Sequence, residues 1–139
     1  MCASSAVAPL SERPRSDPLA LSASLPGWLA PEEAEALLQL AARGPGQGAL
    51  VEIGSFVGKS LLCLAAGSRR EGRERVVSID PHRGSAEHQP GGAAFVPEVW
   101  DAAAGRVDTL GPLRRNLTAA GLSEQVEVVV ATSDEAAAD

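Results

Sequence analysis

Three short apolar runs, each separated from the next by a segment of helical periodicity, constrain the fold most strongly. The runs are ALVEI near 49–53, RVVSI near 75–79 and QVEVVVA near 125–131, and their length and β-branched content predict strands. Strands that alternate with helical crossovers pair in parallel, in a sheet that helices cover on both faces. We therefore predict an α/β fold with a three-layer parallel sheet in the strand order 3-2-1.

Helix signals fill much of the chain between these strands. A helix is predicted from Pro31 to Arg43, because Pro suits the first helical position and Gly44 ends the pattern. Further helices are predicted over 59–70 and 107–120, and the capping-box spacing of Thr132 and Glu135 predicts the start of another. The apolar stripe predicted for the first of these helices consists of Ala34, Leu37, Leu40 and Ala41.

Two segments lack a sustained period. Residues 1–25 are rich in Ala, Ser and Pro and are predicted to be a poorly ordered leader, so the folded domain is expected to span 26–139. Residues 82–105 contain Gly and Pro clusters and are predicted to be a long irregular excursion with a short helix near 99–103.

Composition excludes several classes of function. A net charge of −6 and a pI near 4.9 disfavour a nucleic-acid surface, which needs a basic stripe. No apolar run approaches the length of a membrane span, and no apolar signal core precedes the domain; the expectation is a cytoplasmic protein. His82 and His88 have no neighbouring Cys or carboxylate pattern, so no metal site is predicted.

The loop after the first strand, VEIGSFVGKS at 51–60, ends like a phosphate-binding loop. Such a loop needs four residues between its first glycine and Gly-Lys-Ser, whereas Gly54 and Gly58 enclose three. The dinucleotide fingerprint G-x-G-x-x-G also fails, because its later glycines would fall at Phe56 and Lys59. Neither nucleotide-binding motif is therefore present.

The loop does carry an acid, Glu52, two residues before the glycine Gly54. Gly58 and Ser60 complete this pattern. This pattern resembles the first motif of class I S-adenosylmethionine-dependent methyltransferases, especially catechol-type and related small-molecule O-methyltransferases, in which an aromatic residue such as Phe56 can replace the middle glycine. The resemblance extends to three further segments and covers about 25–139. These segments are PGWLAPEEAEALLQLA, IDPHRGS and LRRNLTAAGLSEQVEVVVATSDEA.

The resemblance implies a Rossmann-like fold that binds S-adenosylmethionine with the loop Gly54-Ser55-Phe56 and the amides from Gly58 to Ser60. Glycines allow the backbone to approach the methionine moiety, and a helix N-terminus offers amides to its carboxylate. Glu52 is expected to attract the ammonium, and Asp80 to accept hydrogen bonds from the ribose hydroxyls. Ser133 and Asp134 match the position where family members bind adenine.

Each of these residues also has a purely structural interpretation. Gly54 and Gly58 can serve a tight strand–helix turn, and Asp80 before Pro81 can be a turn residue. Ser133 and Asp134 can form a capped helix start and no more. Lys59, His82 and His88 are expected to be solvated, and no catalytic residue is predicted.

The family's sheet has seven strands in the order 3-2-1-4-5-7-6, of which three are expected here. Two hypotheses follow: the cofactor-binding part of a methyltransferase acting on a small molecule, with oxygen as the expected acceptor atom, or a truncated or decayed non-catalytic module. In the order 3-2-1 the first strand lies at an edge, so self-association through this strand is expected.

Overall fold

The structure, a computed structural model, describes residues 15–44 and 46–138; the first fourteen residues of the predicted leader lie outside this range. Within these residues, five α-helices and five strands form in chain order. The helices are α1 (Pro18–Ser24), α2 (Pro31–Arg43), α3 (Lys59–Arg70), α4 (Leu110–Ala119) and α5 (Ser133–Ala137). The strands are β1 (Leu50–Ile53), β2 (Val76–Ile79), β3 (Trp100–Asp101), β4 (Arg106–Val107) and β5 (Val126–Val129).

The central sheet confirms the predicted α/β class and strand order. Its three strands are parallel and lie in the order β1-β2-β5. In register, Ile53 lies beside Ile79, which lies beside Val129. The carboxyl ends of all three strands therefore meet at one edge of the sheet, where ligands of such sheets bind.

The main core lies between one face of this sheet and the helices α3 and α4. Each strand alternates its side chains between the two faces, and Val76 and Val126 point toward this core. Burial of apolar surface on this face supplies the main driving force for folding. The buried members of the core are Leu61, Leu62, Ala65, Val76, Leu113, Leu117, Ala120, Leu122 and Val126.

Helix α2 packs closely on α3, and a glycine sets the distance between them. A Cβ atom added at Gly67 would lie 2.1 Å from the carbonyl oxygen of Leu38, so only glycine fits at this crossing. The buried residues of α2 are Ala34, Leu38, Ala41 and Ala42. The predicted stripe was wrong at Leu40, which is 67% exposed, because the buried face follows the i, i+4, i+7, i+8 spacing from Ala34.

The predicted leader differs from the structure over Pro18–Ser24, which form α1. The Asp17 carboxylate accepts a hydrogen bond from the Ala20 amide at 2.8 Å, and Pro18 occupies the first helical position. Ser22 is buried against α3, where its hydroxyl donates to the carbonyl of Lys59 at 2.7 Å. These local start signals, together with the packing of Leu19 and Leu21 against the core clusters, outweigh the low-complexity composition.

The excursion between β2 and α4 is irregular as predicted, but the helix expected near 99–103 does not form. A 3-10 turn ends at Val99, and the antiparallel pair β3–β4 follows. The Asp101 side chain accepts hydrogen bonds from the amides of Ala103 and Ala104, both at 3.0 Å. This local turn competes with helix formation and ends at Gly105, whose φ is +62°.

The sheet face opposite the main core leaves apolar side chains of β1 exposed. Val51 is 53% exposed and Ile53 is 66% exposed, and in the part of the chain that the structure describes β1 pairs with β2 alone. Within the described residues, no helix is both long and apolar enough to cross a membrane.

We expect the 139-residue chain to self-associate through β1, because two copies of one edge strand can pair about a two-fold axis. Val51→Lys should shift the chain toward monomer, since pairing would bury an unpaired charge. Val51→Thr is the control, because it keeps the β-branched shape without charge. Size-exclusion chromatography with light scattering measures the masses; equal masses for wild type and Val51→Lys would contradict the expectation.

Candidate functional site

A cavity of about 410 Å³ opens at the carboxyl ends of β1 and β2. Its floor comes from the loop after β1 and from the residues after β2, as the parallel topology predicts. Its outer wall comes from the connection between α1 and α2. The lining residues are Pro26, Gly27, Trp28, Leu29, Gly54, Ser55, Phe56, Lys59, Ser60, Asp80, Pro81, Gly84, Ser85, His88 and Thr109.

Two glycines shape the loop after β1, and glycine is required at each position for a different reason. Gly54 has φ +84°, and a Cβ atom there would meet nothing within 4 Å, so the backbone borders open space in the cavity. Gly58 has φ +93°, and a Cβ atom there would lie 2.7 Å from Cδ1 of Leu113. Gly58 does not line the cavity; it permits the turn into α3 and its contact with α4.

The rest of the loop is held by buried polar contacts. Ser55 is buried, and its hydroxyl lies 2.6 Å from the hydroxyl of Ser78 on β2. Phe56 has φ +51°, a left-handed conformation that is uncommon for a bulky residue. The strain at Phe56 is offset by a bond from its amide to the Asp80 carboxylate at 2.8 Å. The loop therefore has a fixed shape.

Asp80 joins the ends of β1 and β2. One carboxylate oxygen accepts from the Phe56 amide, and the other accepts from the His82 amide at 2.6 Å. An ionised carboxylate offers about four lone-pair positions, so each oxygen retains capacity for a further donor. Asp80 lines the cavity, where such a donor can reach it.

Glu52 contributes a carboxylate that bonds to Ser60, a lining residue, but Glu52 does not itself line the cavity. Its Oε1 accepts from the hydroxyl of Ser60 at 2.5 Å, while its Oε2 is buried and has no hydrogen-bond partner. Burial raises the pKa of Glu52 above its usual value of 4.5, against the lowering effect of the hydrogen bond from Ser60. An unpaired buried oxygen is costly, and a cationic hydrogen-bond donor would satisfy it.

The two histidines differ in position, and neither offers a free basic nitrogen to the cavity. His82 is buried behind Asp80, with Nδ1 2.7 Å from the hydroxyl of Thr109, and burial lowers its pKa. His88 lines the cavity, and its Nδ1 accepts from the Ser85 amide at 3.2 Å. Neutral His88 therefore carries its proton on Nε2 and acts as a donor. The expectation that both are solvated was wrong for His82.

Lys59 was also expected to be solvated, and the structure corrects this. Its ammonium donates to the carbonyl oxygen of Leu25 at 2.8 Å. The partner lies 34 residues earlier in the chain, so no local pattern could reveal it. Lys59 ties the outer wall of the cavity to the first turn of α3.

Ser133 and Asp134 do not line this cavity. Both are exposed in the first turn of α5, beyond the carboxyl end of β5. The Thr132 hydroxyl accepts from the Glu135 amide at 3.3 Å, and the Glu135 carboxylate accepts from the Thr132 amide at 2.8 Å. This confirms the predicted capping box.

Sequence reasoning missed the outer wall, of which Trp28 is the largest side chain. The available signal was the rarity of aromatic residues, which make up 3% of the chain. In a chain with so few aromatic residues, a tryptophan outside the core indicates a surface with a role other than packing. Among residues 15–44 and 46–138, no cluster of three or more metal-binding side chains is present.

Comparison with known proteins agrees with this geometry. A family model described as a methyltransferase domain matches residues 51–139. A solved structure described as cofactor-bound Rv0187 from MTB matches 85% of this chain with a TM-score of 0.50 and 27% sequence identity. This chain spans 43% of the length of that chain. Because the family match covers more than half of the 139 residues, this chain belongs to the methyltransferase domain family and has the fold of the class I enzymes.

Proposed function

We propose that the cavity binds S-adenosylmethionine and that the domain supports methyl transfer to an oxygen atom of a small molecule. The observation that carries this proposal is the pairing of open backbone at Gly54 with an unpartnered buried oxygen of Glu52. The amino-acid moiety of S-adenosylmethionine carries two groups that suit such a site. One is a flat group small enough to lie against the backbone at Gly54, and the other is an ammonium for the Glu52 oxygen. A triphosphate carries neither, and the Lys59 ammonium is already engaged.

The side chains fit the remaining parts of this cofactor. Asp80 has free lone pairs at the cavity and can accept hydrogen bonds from vicinal ribose hydroxyls. Glu52 can accept from the ammonium through Oε2. Ser133 and Asp134 stay candidates for the adenine, at the end of the neighbouring strand β5. All these groups lie at one edge of the sheet.

When bound, the cofactor supplies an electrophilic methyl group. The chain's own contribution is to hold the ligand and to orient the acceptor, and orientation accounts for much of the acceleration in reactions of this kind. His82 does not line the cavity, and Nδ1 of His88 already accepts from the Ser85 amide, so we assign no base. Binding without turnover would instead match the alternative of a non-catalytic cofactor-binding module.

Two glycines provide a matched test of the cofactor site. Gly54 and Gly48 both have φ +84° and nothing within 4 Å of an added Cβ atom, but only Gly54 lines the cavity. Alanine at either position should cost a similar free energy of unfolding, about 1–2 kcal/mol. In calorimetric titrations, Gly54→Ala should weaken S-adenosylmethionine binding at least about tenfold, because the new methyl group occupies ligand space. Gly48→Ala should bind as wild type does.

ATP titrated in parallel separates the two ligand classes. We expect wild type to bind S-adenosylmethionine and to bind ATP far more weakly. Tighter binding of ATP, or equal losses of affinity in Gly54→Ala and Gly48→Ala, would contradict the proposal.

A further inference from the structure

Two residues with strained backbones orient the carboxylate of Asp80. Among the residues that the structure describes, the non-glycine residues with positive φ are Phe56 at +51° and His82 at +59°. Each donates its amide to a different oxygen of Asp80, at 2.8 Å from Phe56 and 2.6 Å from His82. Such a conformation is costly for a residue with a side chain and persists only where the surroundings enforce it. Another part of the fold must therefore hold these two residues in place.

Helix α4 holds His82 through Thr109, the residue at the N-terminal cap position of this helix. The Thr109 amide donates to the His82 carbonyl at 3.3 Å, and the Thr109 hydroxyl lies 2.7 Å from Nδ1 of the His82 ring. Both residues are buried. Nε2 of His82 is also buried and has no hydrogen-bond partner among the described residues. Within that part of the chain, the Thr109 hydroxyl is therefore the polar group that anchors the ring.

The same helix holds the loop after β1. The side-chain amide of Asn116 donates to the carbonyl of Val57 at 2.9 Å. Leu113 packs so closely on Gly58 that a Cβ atom added there would lie 2.7 Å from its Cδ1. Thr109, Leu113 and Asn116 have the spacing i, i+4, i+7, which places them on one face of the helix. This face therefore contacts the backbone that follows β1 and the backbone that follows β2.

These α4 residues affect a ligand through Asp80. Leu113 and Asn116 do not line the cavity, and Thr109, which does, is 1% exposed. The free lone pairs of Asp80 are directed by the two amides that the carboxylate already accepts. A hydrogen bond weakens steeply as its angle departs from linear, so a small rotation of this carboxylate would weaken its bonds to a ligand.

We propose that Thr109 and Asn116 are positioning residues of the cofactor site, which act from α4 to direct the Asp80 carboxylate at a vicinal diol. Thr109 acts through His82. Asn116 acts through the loop that contains Phe56. This inference rests on the proposed function, because the diol is the ribose of the proposed cofactor.

A pair of ligands that differ in one hydroxyl group tests this alignment. The ligands are S-adenosylhomocysteine and its 2′-deoxy analogue, and calorimetric titration of wild type should show a preference of about 10- to 100-fold for the complete diol. Thr109→Val nearly keeps the shape of the side chain but removes the hydroxyl that anchors His82. We expect this preference to fall at least about fivefold in Thr109→Val. Thr109→Ser restores the hydroxyl and should restore most of the preference.

Thr118→Val is the matched control on the same helix. The Thr118 hydroxyl donates to the carbonyl of Arg114 at 2.9 Å, and this exposed residue does not line the cavity. The control should therefore retain the full preference of wild type.

Asn116→Leu tests the support of the other loop. Leucine is similar in size to asparagine but leaves the Val57 carbonyl without its donor, so the preference for the diol should fall in this variant too. Asn116 is half-buried, whereas Thr109 is buried. If Thr109→Val does not fold, Asn116→Leu therefore decides the question.

The outcomes separate this inference from the proposed function. Equal losses of affinity for both ligands in Thr109→Val and Asn116→Leu, with the preference intact, would overturn the inference, because these residues would then support the fold alone. A Thr109→Ser variant that behaves as Thr109→Val does would also overturn it. Wild type that binds both ligands equally would remove the inference and leave the proposed cofactor in place. Wild type that binds neither ligand would reject the proposed function itself.

Discussion

Glu52→Gln is expected to weaken S-adenosylmethionine binding by about 10- to 100-fold, the effect of losing one charge-assisted hydrogen bond. The same substitution should leave the free energy of unfolding of the ligand-free protein at pH 7 unchanged or increased. The reason is that Glu52 is buried with Oε2 unpartnered, and ionisation there is costly without a cation. A residue that costs stability in the free protein and contributes only to ligand binding is typical of a functional site.

The pH dependence of the two properties should run in opposite directions. Burial raises the pKa of Glu52 above 4.5, so the native state retains this proton to higher pH than the unfolded chain. The neutral carboxyl's contribution to stability is fully present below the unfolded pKa and is lost as pH rises through the folded pKa. Cofactor affinity should rise over the same interval, because the ammonium pairs with the ionised form.

Calorimetry between pH 5 and about 7 measures this affinity change while the cofactor's α-amino group, with a pKa of about 8, stays protonated. Glu127→Gln is the control, because Glu127 lies on β5 with an exposed side chain. It should leave affinity and its pH dependence unchanged. A Glu52→Gln variant that binds as tightly as wild type would remove Glu52 from the site.

The fold and the floor of the cavity could be predicted because both follow from short-range patterns. Apolar runs of strand length identify the three strands, and parallel pairing brings Gly54 and Asp80 to one edge. Cap signals at Thr132 and Glu135 are equally local. In each of these cases the pattern and its structural result lie within a few residues of each other.

The outer wall could not be predicted, because it depends on contacts between distant segments. Lys59 bonds to a carbonyl group, and every residue carries one, so the sequence does not identify Leu25 as the partner. The prediction of a helix near 99–103 was wrong for a different reason. A turn stabilised by the Asp101 side chain replaced a helix of similar local propensity. The Ala-, Ser- and Pro-rich composition also concealed α1, which contacts α3 through Ser22.

The second prediction with a large expected effect concerns Asp80, which has both a structural and a proposed binding role. Asp80→Asn keeps the shape but replaces one acceptor oxygen with an amide. That amide would face the N–H of either Phe56 or His82, each of which now donates to the carboxylate. The free energy of unfolding should therefore fall by about 1–3 kcal/mol, the cost of an unsatisfied buried donor.

The binding role can be separated from this structural effect by changing the ligand as well as the protein. The ligands are S-adenosylhomocysteine and its 2′-deoxy analogue, titrated into wild type and Asp80→Asn. In wild type, removal of the hydroxyl should weaken binding by about 10- to 100-fold if the carboxylate accepts from it. In Asp80→Asn the same removal should cost much less, and the difference between the two losses is the coupling between residue and hydroxyl.

Asp101→Asn is the matched control for this cycle. Asp101 also accepts two backbone hydrogen bonds, but it lies outside the cavity. Removal of the ribose hydroxyl should therefore weaken binding as much in this variant as in wild type. Loss of stability with no coupling in Asp80→Asn would mean that Asp80 only shapes the loop. Coupling in Asp80→Asn alone would show that one carboxylate both fixes the conformation of Phe56 and binds the ribose, so that the loop acquires its binding geometry from the residue that contacts the ligand.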